Sequence, residues 1–582
     1  MAQQKSCAIS MISYERRGGP KMKKGEIVEG IIERAEFPNK GILETKEGKV
    51  VVKNTIPGQK VRAVIQKVRK GKTEGRVLEL LEKSKLEIDS FCPHFGQCGG
   101  CAYQSLPYEQ QLRIKEEQVI NLFQKFFQGI GKNKEMREDL SFFEGIKGSP
   151  KKREYRNKME FSFGDQWKGG PLTLGMHKRE SFYDIVSVSN CQIMDGDYRK
   201  ILGEVQGFFE HWKVPYYHKM KREGYLRHLI VRKGENTGEI LILLVTTSQR
   251  EYLDAKEEDI LNQLKDNLLS LSLEGKIVGI LHVFNDSLSD AVKNEKTVLL
   301  YGQDYFTEEI LGMKFKISPF SFFQTNSLGA EVLYDTVREY VGGLKKDKLI
   351  FDLYSGTGTI AQILAPMASK VVGVELVEEA VEAAKENGAR NGLNNCVFIS
   401  GDVLKVLDDI KEKPDLIVLD PPRDGVHPKA LPKILNYGVK KIVYISCKPT
   451  SLMRDLEFMY RYGYELERGV CIDLFPGTTG VESIVLLSKL HTKQNIEVEL
   501  EMSELDLTAA ESKATYEEIK DYVLEHTGLK VSSLYIAQVK EKYGIVERVN
   551  YNLPKSENSR QPKCPPEKEA AIREALKHFR MI

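Results

Sequence analysis

Leu349-Ile350-Phe351-Asp352-Leu353 runs straight into Tyr354-Ser355-Gly356-Thr357-Gly358-Thr359-Ile360-Ala361. The first five residues have the length and apolar content of a buried strand, and the glycines allow a tight turn into a helix. The same unit repeats downstream. Val371-Val372-Gly373-Val374-Glu375 predicts a second strand with an acid at its end, and Val397 to Ser400 a third that stops at Gly401-Asp402. Asp415 to Asp420 predicts a fourth, running into Pro421-Pro422-Arg423, and Ile442 to Ser446 a fifth. Strands alternating with helices read as a doubly wound α/β sheet, which binds ligands and does chemistry at the carboxyl ends of its strands. Ser318 to Asn326 (SPFSFFQTN) opens this region, ahead of a helix through Ala330 to Val341.

Gly356-x-Gly358-x-x-Ala361 with Glu375 downstream matches the loose dinucleotide fingerprint. It fits NAD and S-adenosylmethionine equally, since both need close backbone approach and a carboxylate for ribose hydroxyls. The fourth strand favours the methyl donor. Its Asp-Pro-Pro-Arg end is a stiff turn that holds Asp420 at the sheet edge, and hydride transfer has no evident need of it. Cys447 stands at the end of the fifth strand, before Pro449 breaks it. A thiol there is either a nucleophile or a small buried hydrophobe. Cys396 and Cys471, in apolar strand settings, read as core.

Outward from this sheet, 582 residues are too many for one core and predict three or four domains. No apolar run approaches the roughly 20 residues of a membrane span. The first residues lack the apolar core of a secretory signal. Nine cysteines at uneven spacing do not suit a secreted disulfide framework and point to a reducing cytoplasm. A net charge of +3 means that any nucleic-acid site must be a local concentration of cations.

Residues 21 to 83 alternate short apolar runs with glycine turns and predict a small antiparallel barrel. Lys67, Arg69, Lys70, Lys72 and Arg76 crowd its last hairpin, either as a solvated edge or as an RNA-tracking surface. Cys92, Cys98 and Cys101 then form a C-x5-C-x2-C loop with Gly99 and Gly100 inside it, a compact metal-binding pattern. A cubane cluster needs four thiolates. Cys191 is the natural distant fourth, and His94 is the alternative that would favour zinc. Residues 104 to 128 have helical periodicity. Lys151 to Lys158, and later Arg227, His228 and Arg232, mix cations with Tyr155 in a way that suits phosphate contact and base stacking, or a solvated loop. The stretch from 142 to 317 reads as a mixed or antiparallel domain. Beyond it, residues 491–514 are acidic, and Thr515-x-x-Glu518 opens a helix that leads through Gly528 to a second, over 531–543, and then to a last basic one.

Asp420-Pro421-Pro422-Arg423, Ser446-Cys447-Lys448-Pro449-Thr450 with Arg454-Asp455, and Phe475-Pro476 followed by Glu482 resemble the bacterial RNA uracil-C5 methyltransferases, above all those acting on 23S ribosomal RNA. The resemblance covers roughly residues 20 to 490. It implies an α/β multidomain enzyme: a TRAM-like β-barrel over 17–84, a central iron–sulfur and RNA-binding domain over 85–317 whose helix 104–128 packs on the next domain, and a Rossmann-like methyltransferase domain over 318–490. An acidic linker over 491–514 and a helical extension over 515–582 follow. By the same resemblance Gln324, Tyr354, Glu375 and Asp420 contact S-adenosylmethionine, Cys447 is the nucleophile and Glu482 the general base. Cys92, Cys98, Cys101 and Cys191 hold a 4Fe-4S cluster. The implied reaction is methylation of a uridine C5 in 23S rRNA by a cytoplasmic monomer with no membrane partner. Transfer RNA is the alternative substrate, and a non-catalytic RNA-binding or ribosome-assembly factor is the alternative role. Family members often carry histidine two residues before the base, where this chain has Gly480.

Overall fold

The computed structural model describes residues 22–69, 72–131, 140–181, 183–289, 291–342, 347–490, 516–543 and 564–579. They belong to two compact units, Met1–His491 and Thr492–Ile582.

In the first unit, β1 (Ile27–Glu36), β2 (Lys40–Thr45), β3 (Gly48–Lys53), β4 (Lys60–Arg69) and β5 (Lys72–Glu82) close into a barrel in the order β1-β2-β3-β5-β4. Alternating residues such as Ile32, Leu43, Val50, Val61 and Ile65 fill it, and closure leaves no open sheet edge. β3 and β5 pair in parallel. Lys67, Arg69, Lys72 and Arg76 are exposed on the β4–β5 hairpin; Lys70 lies outside the described residues.

The helix α1 (Tyr108–Gly129) and the short strand β6 (Phe143–Lys147) come next. A seven-stranded sheet follows, built from β7 (Lys158–Asp165), β8 (Leu172–His177), β9 (Ile185–Ser187), β10 (Leu226–Lys233), β11 (Glu239–Thr246), β12 (Lys276–Phe284) and β13 (Lys296–Gly302). Its order is β13-β12-β11-β10-β7-β8-β9. Only β11 and β12 run parallel, so it is a mixed sheet. β14 (Phe306–Ile310) and β15 (Met313–Ile317) make a separate hairpin.

The repeating strands of the second half are β16 (Leu349–Leu353), β17 (Lys370–Glu375), β18 (Cys396–Ser400), β19 (Leu416–Leu419), β20 (Lys441–Ser446), β21 (Tyr464–Ile472) and β22 (Glu482–Lys489). With β6 they form one sheet in the order β18-β17-β16-β19-β20-β22-β21-β6. The order turns back between β16 and β19, the switch point at which open α/β sheets hold ligands. β22 inserts antiparallel between β20 and β21. β6, from the stretch expected in the central domain, lies parallel to β21 as the edge strand. Val119, Phe123, Phe126 and Phe127 of α1 are buried in the core on the same sheet.

Four residues expected to face RNA are inside instead. Tyr155, Arg227, His228 and Arg232 are all buried. The Tyr155 hydroxyl donates to the Pro476 carbonyl. Arg227 donates to the carbonyls of Asn285, Ser287 and Ser289, and Arg232 to those of Ser318, Pro319 and Ser321. A guanidinium whose donors are met by carbonyls can stay inside, and these two staple loops.

In the second unit the helices Tyr516–Thr527, Ser533–Lys542 and Pro566–His578 bury Val523, Ile536, Val539, Ile572 and Leu576 against one another. The predicted acidic linker over 491–514 and the Thr515 cap lie outside the described residues. No helix among the described residues is long and apolar enough to cross a membrane.

Candidate active site

Three neighbouring strand ends bring the predicted residues to one edge. The parallel registers pair Leu353 with Leu419 and Leu419 with Tyr444. Tyr354, Asp420 and, two residues further along β20, Cys447 therefore emerge side by side. The antiparallel register that sets Ser446 opposite Ser483 carries Cys447 to the level of Glu482, about 5 Å away between Cα atoms. Two residues 35 positions apart in sequence thus become neighbours because β22 is wedged beside β20.

The electrostatics are those of a partly buried acidic cluster. Burial, with Asp420 adding to it and Arg423 opposing, pushes the Glu482 carboxyl up to about 8. Burial alone lifts Asp420 to about 7. The Cys447 thiol is pushed up to about 11 by burial first, then by Glu482 and Asp420, with Arg423 pulling the other way. Asp352, in the middle of β16, completes the group. It is raised to about 8 by burial and by Asp420, and one of its oxygens accepts the Ala361 N–H at 2.9 Å. Sequence reasoning passed over Asp352; an acid inside an otherwise apolar strand was the available signal.

The loop around the thiol is clamped. Asp455 accepts the Val426 N–H at 2.8 Å and the Tyr444 hydroxyl at 2.6 Å. Ser451 donates to the Arg423 carbonyl at 2.7 Å, and Arg454 donates to that of Asp424. Pro449 opens the helix Pro449–Arg461 at its first turn, where a missing N–H costs nothing. The Arg454-Asp455 pair of the motif thus ties the Asp-Pro-Pro-Arg turn to the turn that bears Cys447.

The segment before Glu482 is held from the other side. Lys115 of α1, fully buried, donates to Asp473 at 2.7 Å and to the Phe475 carbonyl at 3.1 Å. Gln111 accepts the Gly477 N–H at 2.7 Å, while the Gly477 carbonyl accepts from Ala102 and Tyr103 of the cysteine loop. A Cβ at Gly480 would stand 2.9 Å from the Phe475 ring, so the packing here is built around glycine.

At the neighbouring strand ends, Tyr354 holds φ +68° and, with Ser355, donates its N–H to the Val374 carbonyl. A Cβ at Gly358 would meet Phe398 and Ala384 within 2.8 Å; the turn has space for nothing larger. Glu375 accepts the N–H groups of Gly356 and Val377, each at 3.0 Å. Leu376 and Val377 beside it are exposed, an apolar shelf next to a carboxylate. Asn157 fixes the Gln324 segment by donating to the carbonyls of Gln324 and Thr325 at 2.9 Å. Glu375, the glycine turn and this shelf fit an adenosine-type ligand in kind.

Cys92, Cys98, Cys101 and Cys191 are all free thiols. They lie near enough that the other three raise Cys101, which burial already pushes up to about 12. Gly100 N–H and the Gln104 amide point at the sulfurs of Cys98 and Cys101, at 3.4 and 3.6 Å. Among the described residues no three His, Cys, Asp or Glu side chains stand close enough together to hold a metal ion. His94 accepts the Asn190 N–H at 3.2 Å, next to Cys191 in the chain.

The sequence model of the tRNA (Uracil-5-)-methyltransferase family matches residues 291–490. A protein of Clostridium tetani named as an uncharacterized RNA methyltransferase is 49% identical over 81% of this chain and 99% of its own length. Another so named, from Caldanaerobacter subterraneus, is 48% identical over 80% of this chain and all of its own.

The chain belongs to the RNA (uracil-5-)-methyltransferase family.

Among solved structures, the Pyrococcus abyssi tRNA (uracil-54, C5)-methyltransferase, in complex with S-adenosyl-L-homocysteine, superposes with a TM-score of 0.60 at 25% identity. It covers 79% of this methyltransferase and all of its own chain. An enzyme that acts on transfer RNA thus extends over most of this architecture, so the overall build does not by itself select ribosomal RNA.

Proposed function

We propose that this enzyme methylates C5 of a uridine in 23S rRNA, with S-adenosylmethionine as donor, Cys447 as nucleophile and Glu482 as general base. The observation that carries the chemistry is the convergence of half-buried Cys447 and Asp420 with buried Glu482 at one strand edge; the choice of 23S rRNA rests on the sequence resemblance. Uracil C5 is too weak a nucleophile to act unaided. Addition of the Cys447 sulfur to C6, as the thiolate left once its proton is lost, pushes electrons onto the ring as an enolate and makes C5 nucleophilic. The donor, held by Gln324, Tyr354, Glu375 and Asp420, supplies an electrophilic methyl group.

The C5 proton must then leave so that the carbon–sulfur bond to Cys447 can break. Glu482, with a pKa of about 8, is matched to that transfer near neutral pH. While Glu482 and Asp420 are ionised they oppose the Cys447 thiolate; once protonated they do not, and Arg423 then favours it. The reacting ring must be unpaired to enter such an edge. The exposed cations of the β4–β5 hairpin serve the RNA backbone.

The four cysteines match a 4Fe-4S cluster in donor type, and N–H groups point at the sulfurs of two of them, Cys98 and Cys101. We assign that cluster to the loop that also holds the Gly477 carbonyl, as a structural element of a monomeric enzyme. A second reading, methylation of transfer RNA, is favoured by the fold shared with the Pyrococcus abyssi enzyme.

The test uses 5-fluorouridine-containing 23S rRNA and tRNA transcripts, because fluorine at C5 cannot leave as a proton and the adduct persists. A protein–RNA adduct on 23S rRNA that requires Cys447 is the expected result. An adduct on tRNA alone would move the assignment to the second reading. RNA binding with no adduct on either RNA would leave a binding factor and sink the mechanism.

A further inference from the structure

The central sheet carries a cavity of about 320 Å³ that the methyl-transfer chemistry does not use. It opens where β7 meets β8 and the loop before β9, lined by residues from Ser162–Asp165, His177, Tyr183–Ile185 and Tyr216–Met220. Asn157, which holds Gln324, precedes β7, and the cavity begins at Ser162 of that strand. Asn157 therefore lies about 17 Å along the strand from the first residue of the cavity. None of Cys447, Asp420 and Glu482 lines the cavity, so it is distinct from the edge at which the uridine reacts.

Its walls have the chemistry of a nucleobase site. The rings of Tyr216 and His218 lie stacked at 6.4 Å and 27°. The Arg227 guanidinium sits 4.8 Å over the Tyr217 ring, fixed there by three carbonyls. At the mouth, Tyr183 and Met220 are 60% and 73% exposed and touch through the Tyr183 hydroxyl and the Met220 sulfur. Two large, largely apolar side chains left open beside a cavity mark a surface meant to be covered. Lys168 and Lys219 line the cavity beside the rings, and Asp165 and Asp184 bring acceptors. Aromatic faces with cations alongside are the means by which proteins hold single-stranded nucleic acid. The volume, near the lower end of the roughly 300–1,000 Å³ of ligand pockets, suits one nucleoside.

The neighbouring surface says where that nucleoside comes from. The segment between β8 and β9 that contributes Tyr183 also contains Glu180, which pairs with Arg76 of the barrel at 3.9 Å. Arg76 shares its hairpin with the exposed Lys67, Arg69 and Lys72. The segment that bears Tyr183 thus also meets the barrel's cationic hairpin, which suits a sugar–phosphate backbone rather than a free nucleotide.

We propose that this cavity receives a second, unstacked base of the substrate RNA and so sets which uridine reaches Cys447. The inference rests on RNA being the substrate. Full-length protein is irradiated with 23S rRNA and tRNA transcripts carrying 4-thiouridine or 6-thioguanosine, and crosslinked peptides are mapped. Adducts at Tyr183 or within residues 216–220, from a nucleotide other than the one trapped by Cys447, are expected. Tyr183→Ala removes an exposed ring and no packed core; it should raise KM for RNA about tenfold, the loss of one base stack, with kcat within about twofold. Trapping at Cys447 with no crosslink at the cavity and an unchanged KM would overturn the proposal while leaving the methyl-transfer reading intact. Cavity crosslinks without trapping would do the reverse. Saturable binding of free uridine or adenosine monophosphate, quenching Tyr183-dependent fluorescence with no RNA crosslink, would assign the cavity to a free nucleotide and also overturn it.

Discussion

Replacing Glu482 by Gln keeps the side chain's size and removes its ability to ionise, which makes it the sharpest probe of the acidic pocket. The carboxyl has a pKa of about 8 in the fold against 4.5 when unburied. Because the folded value is the higher, the fold prefers the protonated acid. That preference is fully present below pH 4.5 and is lost as pH rises through 8. Between pH 5.5 and 8.5 linkage gives a loss of about 3 kcal/mol from this group alone. Asp420 and Asp352 contribute with the same sign, so the wild-type curve falls more steeply still. The difference between the two proteins isolates Glu482, and the unfolding of other domains largely cancels. Urea denaturation of both proteins at the two pH values measures it: the variant should lose less stability than wild type by about 3 kcal/mol. In turnover, Glu482→Gln should cost about 10²–10⁴-fold, the worth of a general base, and should accumulate the Cys447 adduct on ordinary RNA. Parallel stability curves would refute the buried-acid argument, and turnover near wild type would refute the base.

Lys115→Met leaves Asp473 as a lone buried carboxylate and should cost about 3–5 kcal/mol, with much of the loss recovered when Asp473→Asn is added; urea midpoints of the single and double variants check this. Tyr444→Phe removes the buried hydroxyl bonded to Asp455 and should cost about 1.5–3 kcal/mol, together with slower trapping on 5-fluorouridine RNA as the Asp-Pro-Pro-Arg turn loosens. Purified without air, the protein should be brown with four irons per chain, and Cys98→Ser should bleach it; stoichiometric zinc in place of iron would overturn the cluster. Gly480→Ala crowds Phe475 and should cost about 1–3 kcal/mol by overpacking, read by thermal unfolding.

The second half of the fold was legible because its strands are short apolar runs buried on both faces, each ending in a residue of distinct chemistry. Glu375, Asp420 and Cys447 could be placed on strand ends from sequence alone. What put Glu482 beside Cys447 was not local. It depends on β22 inserting antiparallel beside β20, which no periodicity within either strand records. Arg227 and Arg232 misled for a different reason. Charged residues are nearly always at the surface, and only the carbonyl-rich loops at Asn285–Ser289 and Ser318–Ser321 make these two exceptions. Tyr155 misled in the same way, since its hydroxyl finds a buried carbonyl 321 positions away.

The edge strand β6 has a consequence for how the protein is made. Its partner in the sheet is β21, so Phe143 must wait for Gly469. At about 5–20 residues per second of synthesis, the intervening 320 or so residues take roughly 15–65 s. Throughout that time β6, Phe142 and the phenylalanine face of α1 have been translated, yet the strand that will cover them has not. The nascent chain therefore offers a sticky aromatic surface to any holding chaperone. A protein cut short before β21 should aggregate rather than fold, even though the barrel ahead of it is complete.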